Sequence, residues 1–337
     1  MKYLIVQPND LYFEWQVGLW LESLRNIGES DKAQVLLFSP STRKDVDWSK
    51  LINRFPEASF FTYYDPMDQG TAFRKIYLPS LRPFCLYQHF KKFPELEKET
   101  IFYCDADILF LRRLKLDNYL KDNKIYLSNT NSYINSDYFD SKIKDVIPEK
   151  LKDYKKIDVL NTAASIVGIT REVCEKNKFH SGGAQYLLKN IPADFWLNVW
   201  MNSVKIVIFL GTINKEYFPS EDRGFQKWCS DMWAVLWELW KRGYETEVIK
   251  ELDFAHATDL KTTLLYKDIL HNAGVTADVM ELNNKKVPTF NKVKYKVKNP
   301  FEDSEWLNNV LQNEDSQKYC FHTYLEHVLS YKNKYSL

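Results

Sequence analysis

The chain has 337 residues, is 45% hydrophobic and 27% charged, and sets 46 basic against 45 acidic side chains for a net charge of +1. That is ordinary globular composition, enough for one large domain or two modest ones, and nothing in the balance demands a polyanionic partner. The cysteines (Cys85, Cys104, Cys174, Cys229 and Cys320) are scattered with no CxxC pair, which argues against a disulfide framework or a structural zinc site and fits a reducing compartment.

MKYLIVQPND lacks the apolar core of a signal peptide and reads as a first strand over Tyr3–Gln7. Leu11–Asn26 has helical period, with Asp10 as N-cap and Gly28 just past its end. Strands are expected at Gln34–Ser39 and Ser59–Tyr64, with a short helix at Trp48–Phe55 between them. Pro83 suits a first helical turn, so a helix follows over Phe84–Phe93. Strand–helix alternation predicts an α/β fold: a mainly parallel sheet with helices on both faces.

Residues 101–111, IFYCDADILFL, place two aspartates between apolar runs. Carboxylates beside a core are costly unless their charge is compensated. In an extended segment, positions i and i+2 point to the same side. Asp105 and Asp107 therefore read in one of two ways: as sharing a hard divalent cation, Mg²⁺ or Mn²⁺, at a strand end, or as a strand-terminal turn in which Asp caps the backbone. Ligands of open α/β sheets bind at the carboxyl ends of the strands. Gln7-Pro8-Asn9 end the first strand, where a nucleotide base would lie.

Further along, 129–156 is polar and charged and reads as a surface insertion or mobile loop. Ala164–Thr170 reads as a strand. In HSGGAQYLLKNI (180–191) two glycines precede what reads as a helical run. Trp196–Ile213 is the longest apolar stretch. Broken by Asn198, Asn202 and Lys205, it reads as a buried strand, not a membrane span. Phe225–Arg242 is a helix stopped by Gly243. The Lys-rich strip 285–298 reads as an edge strand or a phosphate track, and Ser304–Tyr331 as helical. P-loop, GxGxxG, HExxH and GxSxG motifs are absent.

Four segments accompany the DxD of Asp105-Ala106-Asp107. Ser80-Leu81-Arg82-Pro83-Phe84 lies upstream. Ser181-Gly182-Gly183-Ala184-Gln185 lies downstream. Asp231 sits in Trp228-Cys229-Ser230-Asp231-Met232-Trp233. Ile269-Leu270-His271-Asn272-Ala273-Gly274 supplies a late His-x-x-Gly. With these motifs the chain resembles nucleotide-sugar glycosyltransferases of the A-type (GT-A) fold and, more distantly, the peptidyl hydroxyproline arabinosyltransferases and peptidyl serine galactosyltransferases. The Lys-Pro-Trp that often follows His-x-x-Gly in such enzymes is missing.

The resemblance implies a Rossmann-like GT-A domain over residues 1–275, with residues 276–337 as a C-terminal extension packed on it. It implies Mn²⁺ or Mg²⁺ held by Asp105 and Asp107, with His271 or His256 as a third ligand. The donor, a nucleotide-diphosphate sugar and most simply a UDP-sugar, would touch Gln7, Asn9, Arg82, Asp105, Ala106, Gly182 and Gly183. Asp231 and Gln185 would be catalytic. The His-x-x-Gly leans towards retention of configuration. The acceptor stays open among a protein hydroxyl, a hydroxymethylated DNA base and a small or lipid-linked glycan. The rival readings are a metal-dependent nucleotidyl or phosphoryl transferase, which would consume nucleoside triphosphates, and a non-catalytic nucleotide-sugar-binding protein. With no targeting signal recognised, the expected location is the cytoplasm, or host cytoplasm for a phage protein.

Overall fold

A computed structural model describes residues 1–40, 46–65 and 75–337. Strands are numbered β1–β12, and helices of nine or more residues α1–α7. β1 (Lys2–Pro8) sends Leu4 and Val6 into one hydrophobic core and Tyr3 and Ile5 into another. A strand apolar on both faces needs cover on both. β2 (Ala33–Pro40) and β3 (Ser59–Asp65) add to it in parallel on one side and β4 (Thr100–Tyr103) on the other. β6 (Ile125–Leu127), β7 (Tyr186–Lys189) and β8 (Thr246–Val248) complete a sheet of order β3-β2-β1-β4-β7-β6-β8, in which β7 runs antiparallel to its neighbours. The sheet is mainly parallel, as expected.

One core lies under α2 (Leu81–Lys92), α3 (Val159–Val167), α4 (Ala193–Tyr217) and α5 (Ser230–Lys241). The other lies under α1 (Leu11–Asn26), α6 (Ser304–Gln312) and α7 (Cys320–Tyr335). Asp10 caps α1 by accepting from the Tyr12 amide, and Gly28 takes φ +74° beyond its end. Tyr295, Phe290 and Tyr324, all from beyond residue 275, are fully buried in the same core as α1.

β5 (Ile108–Phe110) does not continue β4. It leaves the large sheet and pairs with β10 (Ile269–His271), which pairs in turn with β9 (Phe254–His256). Asp105-Ala106-Asp107 is therefore the turn between two sheets, not part of one extended strand.

Several expectations are corrected. Trp196–Ile213 is not a strand but most of α4, a 25-residue helix. Its exposed positions Met201, Lys205, Ile208, Thr212 and Lys215 recur every three or four residues, the helical period. By length and composition α4 is apolar enough to cross a membrane, yet 56% of its most apolar window is buried inside the protein, packed between α2 and α5. Ala164–Thr170 is the end of α3 and its cap, with Asp158 capping the start and Gly168 at φ +99° closing it. The run after Gly182-Gly183 is the strand β7, not a helix.

Residues 129–156 form short helices that bury Ile134, Tyr138 and Phe139 against Trp233 and Trp237 of α5. They are not a loose surface loop. Residues 285–288 do form a strand, β12, paired with β11 (Val279–Leu282). The alternating segment 292–298, in contrast, coils into a 3-10 turn, Lys292–Tyr295, because Tyr295 is drawn into the core.

Candidate active site

The carboxyl ends of β1 and β4 and the turn after β4 open onto a cavity of ≈ 300 Å³, at the small end for a ligand site. Gln7, Arg82, Asp105, Ala106, Asp107, His271 and His256 all line it. A second, ≈ 80 Å³ cavity shares Arg82, Asp105, Ala184, Trp228 and Met232 with the first and adds Asp231.

Asp105, Asp107 and His271 form a cluster whose ligand atoms all lie within 4.8 Å of one another. The turn brings the carboxylates together where a flat strand was expected to. His271 Nε2 lies 3.3 Å from Asp107 Oδ1 and 3.8 Å from Asp105 Oδ2. β10 reaches this point because its neighbour is β5, which leaves the DxD turn, and the Asn272 amide donates to the Asp107 carbonyl at 2.9 Å. His256 sits beside His271 on β9, at the same cavity, but outside the cluster. Burial lowers its pKa, keeping it neutral. Two carboxylates and an imidazole are an oxygen-rich donor set that suits Mn²⁺ or Mg²⁺. The residues therefore fit such an ion, with His271 offering Nε2.

Cations flank the pair on both sides. Arg82, in the first turn of α2, pairs with Asp105 at 2.6 Å and reaches Asp231 at 3.6 Å. Tyr77 holds Asp231 by donating to its carboxylate at 2.7 Å and accepting from its backbone amide at 3.0 Å. Burial raises the Asp231 pKa, opposed by Arg82 and Tyr77. On the other side Lys292 ion-pairs with Asp107 Oδ2. Burial alone would push the Asp107 carboxyl up, but Lys292 and His271 outweigh it and hold it well below the usual carboxylate range.

The remaining candidates are placed differently. Gly182 and Gly183 are required by packing: a Cβ would come within 2.3 Å of the Ser128 carbonyl at Gly182 and within 2.5 Å of the Tyr186 hydroxyl at Gly183. The residue of that segment that faces both cavities is Ala184, at φ +70°, a left-handed conformation uncommon for a side-chain-bearing residue. Gln185 is fully buried, its side-chain amide has no hydrogen-bond partner, and it lines neither cavity. Asn9 is also outside the cavity walls. Its amide oxygen accepts from Val46 N and Trp48 Nε1, and its nitrogen donates to Ser39, so it ties Val46, Trp48 and the end of β2 to β1.

Sequence reasoning missed Lys292, Tyr77 and Ala184 as site residues. Lys292 lies 185 positions from Asp107, and no local pattern links them.

The chain matches no model of a known protein family and no curated protein. It is similar in structure to the bifunctional glycosyltransferase WbbM, with 10% identity and a TM-score of 0.40 over 82% of this chain, which spans 46% of WbbM. It is similar to the apo form of mouse xyloside xylosyltransferase 1, with 11% identity and a TM-score of 0.38 over 81% of this chain and 97% of that one. It is similar to galactosyltransferase LgtC in complex with donor and acceptor sugar analogues, with 10% identity and a TM-score of 0.37 over 81% of this chain and 87% of that one.

Proposed function

We propose that this chain is a glycosyltransferase that moves a sugar from a nucleotide-diphosphate donor, a UDP-sugar in the simplest case, to an acceptor hydroxyl. The observation that carries the reading is the Asp105–Asp107–His271 cluster, set between Arg82 and Lys292 at the carboxyl end of a parallel sheet. A cation bound there, Mn²⁺ or Mg²⁺, supplies Lewis-acid stabilisation of the leaving diphosphate.

The protein's own groups do the rest. Gln7 and the aromatic rings of Tyr12 and Phe13 wall the end of the cavity that takes the base. Arg82 fixes Asp105 and aims its second edge into the smaller cavity, where the sugar lies. Asp231, oriented by Tyr77, holds the acceptor hydroxyl or stabilises positive charge at the anomeric carbon. Gln185 has no part in this reading, since it faces neither cavity. Trp228 is 59% exposed at the rim shared by both cavities and offers a flat face to a sugar ring.

Among acceptors, a protein hydroxyl or small glycan is favoured over a DNA base. Part of the lysine strip is already paired with carboxylates of the protein, Lys285 with Asp315 at 3.1 Å, Lys294 with Asp303 at 2.9 Å and Lys298 with Asp303 at 3.1 Å, while Lys286 and Lys296 are exposed.

The test is incubation with Mn²⁺ and a panel of nucleotide sugars, reading nucleoside diphosphate release, with nucleoside triphosphates in parallel. Slow, chelator-sensitive release from one nucleotide sugar is expected. Turnover of triphosphates alone would transfer the site to nucleotidyl or phosphoryl transfer. No turnover of any donor, with nucleotide-sugar binding retained, would leave a binding protein.

A further inference from the structure

Lys292 occupies one oxygen of Asp107 while His271 faces the other. Both oxygens of a carboxylate in the cation cluster thus already have partners. The turn that presents Lys292 is fixed: Asn291 caps it by accepting from the Val293 amide at 3.1 Å. Tyr295 anchors it in the core, stacked on Phe290 at 5.7 Å. The lysine side chain itself is one-fifth exposed and lines the same cavity as Gln7. Its ammonium is a compact charge on a flexible stem with rotatable donors, so it can turn into that cavity without moving the turn.

Charge balance gives the consequence. Asp105, Asp107 and Asp231 carry three negative charges, and Arg82 and Lys292 two positive ones. A divalent cation arriving alone must share Asp107 with an ammonium beside it. A diphosphate arriving with the cation gives that ammonium another anion to hold.

We propose that Lys292 is a displaceable internal counter-ion: it holds Asp107 in the nucleotide-free protein and passes to the diphosphate on binding, so that cation binding depends on the nucleotide. This rests on reading Asp105, Asp107 and His271 as the cation site. Because coupling between two ligands is reciprocal, the cation should tighten nucleotide by the same factor.

The experiment is a Mn²⁺ titration of the full chain, with free Mn²⁺ read by its electron paramagnetic resonance signal, with and without UDP, ADP or GDP. In the wild type, Mn²⁺ alone should bind weakly, and one diphosphate should tighten it at least tenfold. Lys292→Met should bind Mn²⁺ alone about tenfold tighter than wild type, with the gain from nucleotide reduced. Lys292→Arg, which keeps the charge, should bind Mn²⁺ alone as weakly as wild type. Lys292→Gln stands in for the Met variant if that fails to fold. Unchanged or weaker binding of Mn²⁺ alone in the uncharged variants would overturn the counter-ion role while leaving the cation site in place. Absence of Mn²⁺ binding in every protein, with nucleotide present, would overturn the cation site and the inference with it.

Discussion

The two flanks of the Asp105–Asp107 turn carry the same charge but are built differently. Arg82 belongs to α2, packed on the central sheet, and is held between Asp105 and Asp231, with Tyr77 behind. It is a planar fork tied at both edges, so moving it would take the cation from a partly exposed Asp105 and a buried Asp231 together. Lys292 belongs to a short turn beyond residue 275 and has one partner in the site. The first arrangement suits a permanent part of a pocket wall. The second suits a charge that changes partner. If the proposed function holds, one site combines a fixed geometry for the transferred sugar with an adjustable charge for the phosphates.

The largest expected effect comes from removing what both flanks share. Asp105→Asn and Asp107→Asn are nearly isosteric and should each lower turnover about a thousandfold, roughly 4 kcal/mol. Circular dichroism should stay native. Full turnover in chelator, or in the double variant, would remove the cation from the reaction.

The Arg82 flank has an acid weak point. His89 lies on α2, fully buried, with Nδ1 2.6 Å from the Tyr63 hydroxyl and Nε2 3.1 Å from Gln34 Oε1. A neutral ring donating from Nε2 and accepting at Nδ1 satisfies both. Burial, helped by Lys92, lowers its pKa from 6.5 to about 4. Between those values the unfolded chain binds a proton that the folded one does not. Stability is therefore complete above pH 6.5 and falls as the pH drops towards 4, by up to roughly 3 kcal/mol. His89→Gln keeps an acceptor and a donor and should flatten this slope in denaturant titrations. An unchanged slope would assign the acid sensitivity elsewhere.

Asp231→Asn should lower transfer about thirtyfold, close to 2 kcal/mol, with nucleotide affinity by calorimetry kept within threefold. Lost nucleotide binding would place Asp231 on the donor instead. The smallest effect separates the two histidines. His271→Ala should raise the Mn²⁺ needed for half-maximal turnover at least tenfold, about 1.4 kcal/mol, and His256→Ala much less. The reverse order would move the third ligand to β9.

Segments governed by neighbours in sequence were readable. The Asp10 cap, the Gly28 stop, the alternation of β1 and the pairing of two aspartates after an apolar strand all depend on chemistry within a few residues. His271 was legible through its His-x-x-Gly setting. Apolar runs without a clear period were not: α4 read as a strand because its polar interruptions at Asn198, Asn202 and Lys205 look like breaks until they are placed on a helix, where Asn202 turns inward and Lys205 outward. Gly182-Gly183 looked like a ligand loop, yet the glycines answer to the Ser128 carbonyl and the Tyr186 hydroxyl.

The amino-acid sequence alone determined that two carboxylates stand together at the end of a buried strand, because a one-residue spacing leaves them little room to part. Only the tertiary structure decided what compensates them. β5 leaves the main sheet to pair with β10, which brings His271 in. The burial of Tyr295 draws Lys292 onto Asp107 from 185 residues away. Such long-range ion pairs follow from how the cores close around α1 and the sheet, and that closure is a property of the whole chain.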